Sequence, residues 1–338
     1  MTATVDVHAH VAIPEADRLV ADRPGLAAAR ELDARRNGPE AAAVNGPMLA
    51  ERAPLLIDPD RRLAAMDAAG VDVQLVSPSP GHYHQWADAE LAEQLCRLVN
   101  RATAEHCATA PGRLRGLGLV PLQHPELMPR LLADALDRGL HGVEISSHAA
   151  GPDGTVELSD PRLEAFWSAA ERSGAVVFLH PFGCTLDERL DRWYLSNSVG
   201  QPVEHAVALA HLICSGVLDR HPELRVLAAH GGGYLPVHIG RLNHAWRTRP
   251  DARAGCAREP GSYLPRLHYD SLVHDPGALR ELVRAAGAGR VLLGSDFPFD
   301  MGTDDPVGAL RAAGLAESDM DAIRGGNAAA LLNLGGTP

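Results

Sequence analysis

The sequence predicts an α/β fold: a (β/α)8 barrel in a single domain spanning 1–338, with an elaborated first βα loop and C-terminal helices. Two observations carry this. Eight short apolar or β-branched runs alternate with longer amphipathic stretches, the pattern of parallel strands buried on both faces and separated by helices. Four of the eight runs also end in histidine or aspartate where they stop being apolar, and in such barrels chemistry sits at the C-terminal ends of the strands. An open doubly wound sheet is the alternative, but it calls for a glycine-rich turn after the first strand. Here that strand runs into His8-Ala9-His10 instead.

Strands are expected at 4–8, 71–77, 114–121, 142–147, 175–180, 225–230, 267–272 and 290–295, each too short for a helix. Helices are expected at 61–69, 87–110, 126–138, 161–173, 203–218, 236–247 and 276–286. Several open at Asp or Pro and close at Gly, as Asp60…Gly70, Asp160-Pro161…Gly174 and Asp275-Pro276…Gly287 do. The segment 11–57 is rich in Ala, Pro and Gly and weakly periodic, so it is expected as an inserted loop region over the barrel mouth.

Composition narrows the chemistry. Hydrophobic residues make up 46% of the 338 and charged ones 22%, enough for a large core without disulfides. The 31 basic residues are all arginine. Without a lysine amine there is no Schiff base, no pyridoxal phosphate attachment, no Walker-type phosphate loop and no carbamylated lysine bridging two metals. The net charge of −12 argues against nucleic acid or an anionic membrane as partner, but leaves room for a small anionic substrate gripped locally. Five scattered cysteines without a C-x-x-C pair are expected as reduced, buried thiols in a cytoplasm. No apolar run approaches the roughly 18 residues of a membrane span.

Strand one ends in Asp6-Val7-His8-Ala9-His10, and alternation puts both imidazoles on one face, able to share a metal. His180 ends strand five, His230 ends strand six before three glycines, and Asp296 follows strand eight. Three imidazoles and a carboxylate suit Zn²⁺, with Mn²⁺ or Fe²⁺ as alternatives. One ion per chain is expected, holding a water whose pKa it lowers toward ~7. His230, if not a ligand, is placed to be the acid/base beside that water. A second H-x-H, His82-Tyr83-His84, is expected to be a polar loop. Asp6 is expected either to orient a ligand or to be solvated, and His148 and His274 to face the mouth. His205, His211, His221, His238 and His244 are expected on helices or turns, in packing or solvent.

The series VDVHAH, FLHP, AAHGGGYLP and LLGSDFPF resembles the amidohydrolase superfamily. It is most similar to the branch of 2-amino-3-carboxymuconate 6-semialdehyde decarboxylase and the related hydroxybenzoate decarboxylases. DPDRRLAAMDAAGVDVQ, VPLQ, HGGGYLPVHIGRLNHAWR and YDSLVHDPGAL extend the likeness over most of the chain from Asp58. The resemblance implies that His8, His10, His180 and Asp296 ligate a catalytic metal, commonly zinc, with Asp296 and His230 as catalytic residues. It implies a homodimer in which Arg241, in a GRxxxAW motif, reaches the neighbouring subunit's active site to hold a substrate carboxylate; Arg247 is a weaker candidate. Arg52 is an approximate counterpart of a first-loop arginine that grips substrate in the family. Phe182 stands where the family has tryptophan, and with Trp193, Tyr194, Phe297 and His148 it is a candidate for the substrate pocket. Arg62 matches DPxxR but is expected at the surface. The activity implied is non-oxidative decarboxylation, a carbon–carbon lyase reaction, of a small unsaturated or aromatic acid; a metal-dependent hydrolase or hydratase of a small anion is the alternative.

Overall fold

The structure, a computed structural model, describes residues 3–151 and 154–334. Eight parallel strands close a barrel: β1 (Val5–Val11), β2 (Val73–Pro78), β3 in two pieces (Leu114–Gly116 and Gly118–Leu119), β4 (Gly142–Ile145), β5 (Val176–Leu179), β6 (Arg225–Ala228), β7 (His268–Asp270) and β8 (Val291–Leu292). The seam between the ends closes through backbone bonds beyond β8, Val7 N–H to the Leu293 carbonyl at 2.8 Å and His10 N–H to that of Phe297 at 2.7 Å. The expected barrel is the observed architecture, with strands mostly shorter than their apolar runs because the ends turn into the mouth loops.

Period-two alternation sorts the strand residues into two cores. Val5, Val7, Leu75, Val176, Phe178 and Leu227 pack inside the barrel, closed below by Ala328 and Leu331 from the C-terminal helix Asn327–Leu331. Val76, Val143, Ile145, Val177, Leu179 and Val226 face outward, against helices such as Ala89–Ala108 and Gln201–Cys214. Gly142, at the start of β4, has φ +154°, and any Cβ there would collide with the Val176 carbonyl. That glycine lets β4 and β5 come together.

The insertion departs from expectation. Val11 belongs to β1, and the rest is mainly helical, Pro14–Val20 and then Pro24–Ile57 broken at Gly38 (φ 73°, ψ 169°). Leu56 is its only buried residue in the longer segment. A helix that covers a mouth rather than entering the core needs no apolar stripe, so its periodicity is weak.

Arg62 is also corrected: it is fully buried, not superficial. Its guanidinium donates to Gln74 Oε1 at 2.9 Å and to the His10 carbonyl. Gln74 in turn donates to Asp6 Oδ2 at 3.1 Å. The register of β1 against β2 shifts between Asp6 and Ala9. Asp6 therefore does not face the centre with His8. It accepts from the backbone N–H groups of His8 and Ser295, both at 3.0 Å, and from the Ser295 hydroxyl at 2.6 Å. It ties β1 to the β8 loop instead of orienting an imidazole.

Candidate metal centre

His8 and His10 from β1, His180 just after β5 and Asp296 after β8 converge inside the mouth, with one donor atom from each within 4.8 Å of all the others. His8 Nε2 and His10 Nε2 are 3.2 Å apart, and they lie 3.4 and 3.0 Å from Asp296 Oδ1. The opposite nitrogen of every ring is held by a protein acceptor. His8 Nδ1 donates to Asp270 Oδ2 at 2.6 Å, His10 Nδ1 lies 3.4 Å from the Pro78 carbonyl, and His180 Nδ1 lies 2.9 Å from that of Pro181. Acceptors on Nδ1 fix the proton there and leave each Nε2 lone pair aimed at the centre. His180 Nε2 and Asp296 Oδ1 are buried without a hydrogen-bond partner among the described residues. Orphaned buried donors of this kind mark a place for a cation, and the residues fit a single divalent ion.

The electrostatics agree. Burial works to raise the Asp296 carboxyl, but His8, His10 and His230 outweigh it and hold it well below the usual range. Burial, with the surrounding imidazoles, pushes His180 well below the ordinary histidine value. An ionised carboxylate and a neutral imidazole are the forms a metal needs.

His230 follows β6 in the left-handed region at φ 51°, and Asp296 at φ 59° shares that conformation, which non-glycine residues adopt at a cost and which gathers at functional sites. The His230 N–H is fixed by Asp270 Oδ2 at 2.9 Å, and its Nε2 stands 3.7 Å from Asp296 Oδ2. Asp270 thus links the His8 ring to the His230 loop. Sequence reasoning passed over it, although a carboxylate inside the apolar run 267–272 was the available signal. Glu144 was missed too. It lies inside the barrel on β4, accepts from the Tyr83 hydroxyl, and is pushed up to about 7 by burial.

A cavity of about 630 Å³ opens above His10, His180, His230 and Asp296. Its roof comes from the insertion (Asn45, Met48, Leu49), and Phe182, Tyr194, Tyr234 and Phe299 line its walls. Phe182 is where the sequence places it, edge-on to Tyr83. Among the described residues no arginine lines the cavity.

Other candidates lie elsewhere. Arg52 points away from the cavity because Asp304 at 3.1 Å and the Pro298 carbonyl at 2.9 Å hold its guanidinium. Trp193 is 80% exposed, and its neighbour Tyr194 takes the wall position. Phe297 turns toward the Arg62 guanidinium, 5.1 Å from its ring centre, because its backbone is spent closing the barrel; Phe299 stacks near His10 instead. Arg241 and Arg247 ride on the helix Leu235–Thr248, outside their own chain's cavity. Arg241 is exposed, and Arg247 pairs with Glu259 at 3.6 Å. His274 does reach the cavity wall.

His148 is drawn off the mouth by Glu204, 3.2 Å from its Nδ1. Glu204 also accepts from the Thr185 N–H and hydroxyl at 2.6 and 2.7 Å. Burial opposes ionisation, but these partners win and lower its pKa to about 2. A depressed carboxylate stabilises the fold above its ordinary value of 4.5 and loses that contribution as pH falls toward 2. Glu204→Gln is expected to destabilise the chain by about 1–3 kcal/mol at neutral pH, the difference shrinking through that window. Denaturant unfolding at several pH values checks it; a gap that stays constant refutes the assignment.

Asp17, His82 and His84 also cluster, but His82 Nε2 accepts the Ile13 N–H at 3.0 Å. The ring proton is then on Nδ1, which has no lone pair for a metal. His82 is a buried strut, not the polar loop residue expected.

A family model described as amidohydrolase matches residues 5–334. The chain belongs to the amidohydrolase family. This amidohydrolase is 32% identical over 333 residues to the 2-amino-3-carboxymuconate-6-semialdehyde decarboxylase of Dictyostelium discoideum, covering 98% of this chain and 91% of that protein. Its fold superimposes on a solved 2,6-dihydroxybenzoate decarboxylase complexed with 2,6-dihydroxybenzoate, with TM-score 0.83 and 27% identity over 98% of this chain and 100% of the other. A dihydroxybenzoic acid decarboxylase from Polaromonas sp. JS666, solved with bound manganese and 2-nitroresorcinol, shares the fold at TM-score 0.84 and 24% identity, over 100% and 98% of the two chains. No helix among the described residues is long and apolar enough to cross a membrane.

Proposed function

We propose that this amidohydrolase is a non-oxidative decarboxylase of a small unsaturated or aromatic carboxylic acid, working with one divalent metal held by His8, His10, His180 and Asp296. The convergence of three Nε2 lone pairs and Asp296 beneath the cavity, with His230 on its wall, carries the reading. The ion, once bound, supplies Lewis-acid charge that fixes the acid's oxygen atoms and stabilises negative charge as the bond to the carboxylate breaks. The donor set suits zinc, with manganese or iron as substitutes.

The chain's own residues do the rest. Met48, Leu49, Phe182 and Phe299 give the cavity an apolar wall that fits an unsaturated ring or chain and excludes water. His230 delivers a proton to the carbon that bears the carboxylate. Carbon dioxide leaves from that carbon, and the bonding pair returns to it, so the product is the acid with hydrogen in place of the carboxylate. Asp270 holds the backbone on which His230 turns. With no arginine in the cavity among the described residues, the chain is read as a homodimer in which Arg241 of a second copy meets the substrate anion. Five free cysteines favour the cytoplasm.

The test is to load the chain with Zn²⁺ or Mn²⁺ and offer a panel of hydroxybenzoates and carboxymuconate-type acids. One carbon dioxide released per product formed is expected for at least one acid. Hydrated or ring-opened product without carbon dioxide would make it a hydratase or hydrolase instead.

A further inference from the structure

His205, one of the helix histidines expected in packing or solvent, sits fully buried directly behind His230, with ring centres 5.5 Å apart and planes at 76°. Two of the glycines after His230 make this approach possible. A Cβ on Gly233 (φ +63°) would overlap the Pro202 carbonyl and come within 2.8 Å of the His205 Cβ, and one on Gly232 (φ +73°) would lie 3.1 Å from Leu209. The glycine run therefore lets the helix Gln201–Cys214 press its first turns against the His230 loop.

Among the described residues, both ring nitrogens of His205 are buried without a hydrogen-bond partner, and so is His230 Nδ1. Burial holds His205 well below the ordinary histidine range. It is therefore neutral, with one N–H to give and one lone pair to accept. The three metal-facing histidines each have Nδ1 fixed by a protein acceptor, whereas His230 has none. The other groups facing His230 are His8, His180, Asp270 and Asp296, and none of them bonds its Nδ1. At this ring separation, nitrogens on facing edges can share a hydrogen bond directly or through one water. Such sharing pairs His230 Nδ1 with one of the two His205 nitrogens.

We infer that His205 is a positioning residue for His230: its buried imidazole engages His230 Nδ1 and keeps Nε2 turned to the cavity. This rests on the acid/base reading of His230 given above. The fixed ring keeps Nε2, the nitrogen from which the proton is delivered, on the substrate side.

The experiment compares wild type with His205→Phe, which fills the volume without nitrogens, and with His205→Gln and His205→Asn, which restore a donor and an acceptor. Long-range ¹H–¹⁵N spectra of the histidine rings in the metal-loaded chain need no turnover. A single His230 tautomer is expected in wild type and a mixture in His205→Phe. With the substrate that releases carbon dioxide, kcat is expected to fall roughly 10- to 100-fold at unchanged KM and metal content in His205→Phe. The pH profile of kcat/KM should shift, and one amide variant should recover activity to within a few-fold of wild type. An unchanged His230 spectrum, or an unchanged kcat and pH profile, in His205→Phe overturns the inference. So does equal damage in all three variants. If His205→Phe does not fold, His205→Leu takes its place with the same expected and overturning outcomes, and two His230 tautomers in the wild-type spectrum overturn the inference by themselves. Because the spectra are read without substrate, failure of this inference is distinguishable from failure of the decarboxylase reading.

Discussion

Asn in place of Asp296 is expected to release the metal and end turnover. Asp296 is the only anion among the four converging donors, and Oδ1 lies 3.4 and 3.0 Å from the two β1 imidazoles. An amide of the same shape keeps the packing but presents a neutral oxygen or an N–H to the ion. Loss of a group that merely orients a ligand costs about 10–100-fold in metal affinity, and loss of the sole charged ligand costs at least that. The wild-type chain should hold one divalent ion after dialysis and the variant far less than one. Thermal unfolding gives an independent reading. A ligand that binds only the native state at 100 times its Kd adds about 2.7 kcal/mol, so wild type should gain stability on metal addition and the variant should not. One ion per chain and full turnover in Asp296→Asn would break the site assignment.

His230→Asn separates metal from proton. His230 stands outside the four donors, on a loop fixed through Asp270, so metal content is expected to stay near one ion per chain. A positioned acid or base contributes about 10²–10⁴-fold, and kcat should fall in that range while KM changes little. The metal would still hold and polarise the acid, but the carbon would have to take its proton from solvent. Normal kcat with normal metal content would move the acid/base role to another residue.

Much of this was legible because local chemistry dictated it. Buried parallel strands must be apolar, so eight short runs announce eight strands. A histidine or aspartate at the end of such a run has nowhere to point but the barrel mouth, and His8, His10, His180, His230 and Asp296 all lie there. The absence of lysine limited the chemistry before any coordinate was known.

Side-chain partnerships across distant elements were not legible. Arg52 answers to Asp304, His148 to Glu204, and Phe297 to Arg62, and each is drawn from the cavity by a charge that is remote in sequence. Asp6 was misplaced because a register shift in β1 interrupts the alternation on which its orientation was argued. The insertion is helical although its sequence lacks a helical period, because it shields the mouth without entering the core.

The sequence by itself determined the barrel and the histidines and aspartate at its strand ends, because these depend on periodicity and residue type. Only the tertiary structure decided what stands behind the donors. Asp270 behind His8, Glu144 beside Tyr83 and His205 behind His230 come from other strands and helices. The hydrogen bond or ring contact that gives each its place forms only when the closed barrel brings them together.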